Sequence, residues 1–193
     1  MHKNNSNKRT SVYRLTIVGM LSAVSIVLGL TGYGFIPFFT AKLTIMHIPV
    51  IIGAILEGPK VGLLLGFIFG VTSLIQNMIY VNLLSFAFLN PLVSIFPRVF
   101  VGLMAYYIYK LMRTKSESLN IAVATTAATV TNTFGVLTMI YIIYAKDVVA
   151  AKGISSGTAA GFIYGIALTN GIPEAIVAVL ICVPVIMALK KMR

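Results

Sequence analysis

A chain of 193 residues that is 59% hydrophobic and only 10% charged is too apolar for a soluble domain and fits a membrane protein. Its net charge of +11 gathers at the edges of apolar runs, with no basic face carrying interleaved aromatics, so it does not point to nucleic acid. The single Cys182, inside an apolar run, excludes a disulfide framework and any cysteine metal-ligand spacing.

Residues 1–11 read as a flexible polar tail, cytoplasmic once the chain is oriented, and residues 12–193 as one transmembrane domain. Lys3, Lys8, Arg9 and Arg14 precede an apolar stretch, as in a signal peptide. Residues 15–34 are long enough to span, however, and no small-x-small cleavage site follows, so a retained first helix is expected. Uncharged runs at 15–41, 61–97, 118–145, 153–173 and 175–189 match helices crossing a hydrocarbon core of ~30 Å. They predict an all-α bundle of six spans near 12–33, 43–57, 60–79, 85–111, 119–145 and 157–189.

The second span is the shortest, with 14 uncharged residues between Lys42 and Glu57 and Pro49 inside; a re-entrant segment is the alternative. The run 61–97 is too long for one helix and must turn near 78–84, at Tyr80 and Asn82. The last span is expected to be tilted or broken around Gly171-Ile172-Pro173. With the N-terminus inside, the inner face carries Lys3, Lys8, Arg9, Arg14, Lys60, Lys110, Arg113, Lys115, Lys190, Lys191 and Arg193. The outer face carries Lys42, Lys146 and Lys152, and this bias puts both termini in the cytoplasm.

Small residues recur every four positions: Gly62, Gly66 and Gly70 in the third span, Gly157, Gly161 and Gly165 in the sixth. Gly19 and Ala23 in the first span, and Ala124 and Ala128 in the fifth, make shorter pairs. Such spacing lets helix backbones approach closely, within the bundle or against a partner.

Arg98 is the one charge interrupting the apolar interior of the fourth span. An arginine at membrane depth needs a partner, a wet cavity or a ligand. At a rise of about 1.5 Å per residue, Arg98, Asn132, Glu174, Gln76 and His47 fall about 15–24 Å above the inner edge, in five different spans. This layer reads as the floor and walls of a pocket open to the outside, with Asn90 and Asn170 as further candidate substrate contacts.

Structural readings stand beside these. Arg98 and Glu174 could neutralise each other. Asn132, with Thr129 and Thr133 beside it, could be helix–helix glue. His47 could bond carbonyls freed by Pro49, and Gln76 and Asn77 could cap the third helix. Tyr106, Tyr107 and Tyr109 read as an interfacial belt. No HExxH, GxSxG or P-loop is present, and no nucleophile–base pair can be assembled, so no enzyme, cofactor or metal site is expected.

The stretch from His47 to Gly62, with its Glu57-Gly58-Pro59-Lys60 turn, resembles the second-to-third helix turn of the substrate-binding (S) components of energy-coupling factor vitamin transporters. Residues 66–75, Phe96-Pro97-Arg98-Val99-Phe100-Val101-Gly102 and Ile172-Pro173-Glu174-Ala175-Ile176-Val177 are similar to the pantothenate-type branch. The resemblance implies a multi-pass protein of a bacterial cell membrane that takes a small vitamin from outside. It also implies a membrane coupling subunit and two ATPase subunits as partners, with the protein toppling in the bilayer to release its cargo. The docking patch on the first helix would be Gly19 and Ala23, where the family often has two alanines. The outer lid would be the loop from Tyr33 to Lys42, including Phe35.

The expectation is therefore a vitamin-binding subunit, with Arg98 on a carboxylate, Asn132 on an amide or hydroxyls, and Glu174 orienting Arg98 or taking a hydroxyl. Pantothenate is favoured over pyridoxine, folate or a cobalamin precursor. A stand-alone gradient-driven carrier and an assembly protein without a ligand are the rival classes.

Overall fold

The computed structural model describes residues 3–32, 34–38, 41–80, 85–112, 114–152 and 159–192. Helix α1 (Lys3–Leu30) begins ahead of the expected start, and the polar segment from residue 3 is continuous with it. Ser22, Ser25 and Gly29 recur at helical spacing on its buried face, while most other positions are open, so α1 edges the bundle. The chain then forms a hairpin of β1 (Phe35–Phe38) and β2 (Ala41–Thr44), an addition to the expected all-helical fold.

The second expected span is shorter than the sequence suggested. Its first residues belong to β2, and α2 (Ile48–Glu57) has only 10 residues. Pro49 sits in the first turn, where a helix does not need its N–H. Every residue from Ile48 to Ile55 is buried, because α2 packs against α1, α3, α6 and α8. A helix that is apolar all round must be enclosed, and α2 is the axis of the bundle. Gly58, at φ 99°, makes the sharp turn into α3 (Pro59–Ile79).

The fourth expected span, 85–111, is interrupted twice. It comprises α4 (Ser85–Phe88), α5 (Pro91–Ser94) and α6 (Phe96–Leu111). Asn90 caps α5 by accepting from the Leu92 N–H at 3.0 Å, and Pro91 and Pro97 open α5 and α6. Helix α7 (Glu117–Lys152) bends at Tyr144, whose φ of −124° and ψ of 17° are non-helical. Helix α8 (Ala159–Lys191) runs unbroken through Gly171-Ile172-Pro173, so of the two expected forms, tilted or broken, it is not broken there. It packs along α7, and one hydrogen bond lost to Pro173 is not enough to end a helix supported in this way.

Five segments are long and apolar enough to cross a membrane: Val12–Leu30, Pro59–Ile79, Pro91–Leu111, Glu117–Val148 and Ile163–Lys191; α2 is a shorter apolar helix beside them. The main core surrounds α2 and includes Phe69, Val101, Ala128 and Ala178. A second core, with Val93, Leu137, Ile140 and Ile163, lies where α5, α7 and α8 meet.

Candidate functional site

The glycine stripe of α3 positions Arg98. A Cβ on Gly66 would lie 2.5 Å from the Arg98 carbonyl oxygen, and one on Gly70 would lie 2.7 Å from the Ile95 Cα. This close crossing brings Phe69 of α3 to the guanidinium, whose central carbon lies 5.2 Å from the Phe69 ring centre and 5.4 Å from that of Phe88. Rings at that distance attract a desolvated cation through their negative faces.

Arg98 also answers to the backbone. Pro97 has no N–H, so the Val93 carbonyl four residues earlier lacks its helical donor. Arg98 Nη1 supplies one, donating to the Val93 oxygen at 3.1 Å and to the Ser94 oxygen at 2.7 Å. Arg98 Nε is buried and has no partner. With one nitrogen held by the α5 carbonyls, the opposite edge of the fork is the part that can address another group.

Arg98 and Glu174 do not neutralise each other. Among the described residues the ion pairs are Arg14–Glu57 at 3.5 Å and Lys190–Glu117 at 2.5 Å. Glu174 instead accepts from the Thr44 N–H at 2.7 Å and from the Thr133 hydroxyl at 3.0 Å. The expectation that it orients Arg98 is therefore not met. Physically, β2 and α7 supply neutral donors that satisfy the carboxylate where it stands.

His47 precedes α2, and its Nε2 lies 3.1 Å from Thr129 Oγ1. Its Nδ1 is buried without a partner, as are Asn132 Oδ1 and Gln76 Oε1. Asn77, beside Gln76, donates to the Ser73 carbonyl at 2.8 Å and accepts from the Ser85 hydroxyl at 3.2 Å, so its side chain ties α3 to α4. Asn90 is engaged at both ends: besides the α5 cap it donates to the Tyr144 hydroxyl at 3.2 Å, at the bend of α7. Pro91 creates the helix start that needs this cap. Asn170 is half-buried one turn before Glu174 on α8, 3.5 Å from the Thr169 hydroxyl.

Arg98 Nε, Asn132 Oδ1, Gln76 Oε1 and His47 Nδ1 thus come from α6, α7, α3 and the entrance to α2. Each buried polar atom left unpaired costs about 1–3 kcal/mol, so these four, beside the similarly unpartnered Ser22, Ser25 and Thr125 hydroxyls, are unusual for a chain whose only task is to fold. The set offers an N–H donor on a cation, two amide oxygens and an imidazole nitrogen. It is suited to a small polar molecule bearing an anionic end and groups that donate hydrogen bonds.

Elsewhere, Gly19 and Ala23 are exposed on α1, and a Cβ on Gly19 would meet no atom within 4 Å. Tyr33 lies outside the described residues, and Phe35 begins β1. Of the three tyrosines expected as a belt, Tyr109 does more: its hydroxyl donates to Glu117 at 2.5 Å, and Lys190 contacts both. Sequence reasoning did not single out Phe69, Phe88 or Thr44 for this site. Phe69 had a signal, since it lies between Gly66 and Gly70 on the helix that crosses closest to Arg98. Thr44 had none, because its contribution is a backbone N–H.

Residues 13–186 match the family described as ECF transporter, substrate-specific component. The chain is also similar to the pantothenic acid transporter PanT of Lactococcus lactis subsp. cremoris (strain MG1363). The two are 30% identical over 169 residues, which cover 80% of this chain and 81% of the relative.

Proposed function

Because the chain belongs to the family of ECF transporter substrate-specific components, we propose that it is a membrane-embedded binding subunit for pantothenate. The observation that carries this reading is the set of buried, unpartnered polar atoms on Arg98, Asn132, Gln76 and His47. Pantothenate has a carboxylate for the free edge of the Arg98 guanidinium. Its hydroxyl and amide N–H groups suit Asn132 Oδ1 and Gln76 Oε1, with His47 and Asn170 as further contacts. The similarity to a pantothenic acid transporter supports the same choice.

In this reading the protein is an importer subunit of a bacterial cell membrane, and α2 completes a six-helix topology with both termini in the cytoplasm. The charge bias supports that orientation. A membrane coupling subunit docks on Gly19 and Ala23, which are exposed and small enough for close helix contact. Two ATPase subunits drive release of the cargo inside. Mass spectrometry of small molecules released from the purified, unfolded protein tests the substrate. Pantothenate at close to one per chain is the expected result. A different vitamin, or none under conditions where pantothenate is present, rejects it.

A further inference from the structure

The free edge of the β1–β2 hairpin is closed by a side chain from near the other end of the sequence. Phe35 is opposite Thr44, and the next N–H, that of Ile45, donates inward to the Gly34 carbonyl at 2.9 Å. Successive N–H groups along a strand point to opposite sides, so the Thr44 N–H points out of the hairpin. An edge of this kind must find another acceptor when it is covered. It finds Glu174 Oε1 at 2.7 Å, while Glu174 Oε2 takes the Thr133 hydroxyl at 3.0 Å.

Glu174 is only 5% exposed, and both its oxygens are occupied by protein donors from two elements. Three residues after Thr44, His47 meets Thr129, one turn from Thr133 on the same helix. Two four-residue strands hold no fixed position by themselves, so ties to the bundle decide where the hairpin sits.

We propose that Glu174 is a positioning residue that fastens the hairpin to α7 and α8 and thereby sets the rate at which bound ligand leaves, without reading the ligand's chemistry. The second half rests on the proposed function and further takes the hairpin to cover the bound pantothenate; the fastening itself does not. The carboxylate is needed as an acceptor at one place. A glutamine, which keeps one carbonyl oxygen, can hold the Thr44 N–H, whereas an alanine cannot.

The test uses the full-length protein in nanodiscs, as Glu174→Ala, Glu174→Gln and Thr133→Val. Without ligand, amide hydrogen exchange in peptides covering residues 41–47 should speed up about tenfold or more in Glu174→Ala. Exchange in α7 and α8 should be unchanged, and Glu174→Gln should stay near the parent protein. With labelled pantothenate, Glu174→Ala should raise the dissociation rate by a similar factor at a nearly constant association rate, and Glu174→Gln should restore it. Unchanged exchange at 41–47 in Glu174→Ala overturns the proposal. So does a Glu174→Gln variant that exchanges normally but has lost affinity, because the charge would then be reading the ligand. If Glu174→Ala exchanges faster everywhere, Thr133→Val decides: a smaller rise confined to 41–47 supports the fastening, and no rise overturns it. Failure of the parent protein to bind pantothenate would reject the functional reading and leave the exchange measurement to decide the fastening.

Discussion

Gly62 of α3 and Gly102 of α6 meet backbone to backbone: a Cβ on Gly102 would lie 2.4 Å from the Gly62 carbonyl oxygen, and one on Gly62 would lie 3.1 Å from the Gly102 Cα. Gly66 and Gly70 continue the seam to Arg98 and Ile95. The approach of these two backbones is what sets Phe69 beside the guanidinium. Gly102→Leu should force the helices apart, lowering ligand-free stability by about 1–3 kcal/mol or more and weakening binding as Phe69 withdraws. Thermal unfolding in detergent checks the first effect and calorimetry the second. An unchanged unfolding midpoint would reject the close crossing.

Arg98→Gln should act twice. Binding of pantothenate should fall by about 2–5 kcal/mol, the usual cost of removing one partner of a buried charged contact. Ligand-free stability should fall too, by about 1–3 kcal/mol, because the Val93 carbonyl loses the donor that Pro97 cannot supply. Adding Glu174→Gln should restore neither, since the two residues are not paired. Recovery of stability in the double variant, measured by thermal unfolding, would show a coupling that the structure does not contain.

Ala23→Phe should abolish uptake by cells while the purified protein binds pantothenate with unchanged affinity. Ala23 and Gly19 are exposed on α1, so the added ring points away from the bundle and would obstruct the proposed docking of the coupling subunit. A parallel loss of binding and uptake would place the pair in an internal seam instead.

An amine-reactive, membrane-impermeant reagent should modify Lys146 in intact cells and reach Lys115 only after lysis. Both side chains are exposed, and they lie near opposite ends of α7. Labelling of Lys115 from outside would invert or break the proposed topology.

What could be read in advance divides along physical lines. Apolar runs long enough to cross a bilayer were legible because lipid imposes a length and excludes charge, and five such segments stand in the structure. The glycine spacing of α3 was legible as close packing, since small residues at every fourth position have few other uses in a membrane helix. Arg98 was legible as a residue needing an explanation. Its neighbours were not, because Phe69, Phe88 and the Val93 carbonyl are ordinary groups until the helices cross.

The amino-acid sequence by itself determined that this is a multi-helix membrane protein of the ECF substrate-specific family, with a few polar groups confined to an apolar interior. Those properties depend on local composition and on motifs read along the chain. Only the tertiary structure decided the partners of those polar groups. Glu174 could have met Arg98 and instead meets a backbone amide in a hairpin that no periodicity announced. Asn90 caps α5 and holds Tyr144. A buried polar group is satisfied by whichever donor or acceptor the packed backbone brings within about 3 Å, and that proximity is a property of the assembled fold.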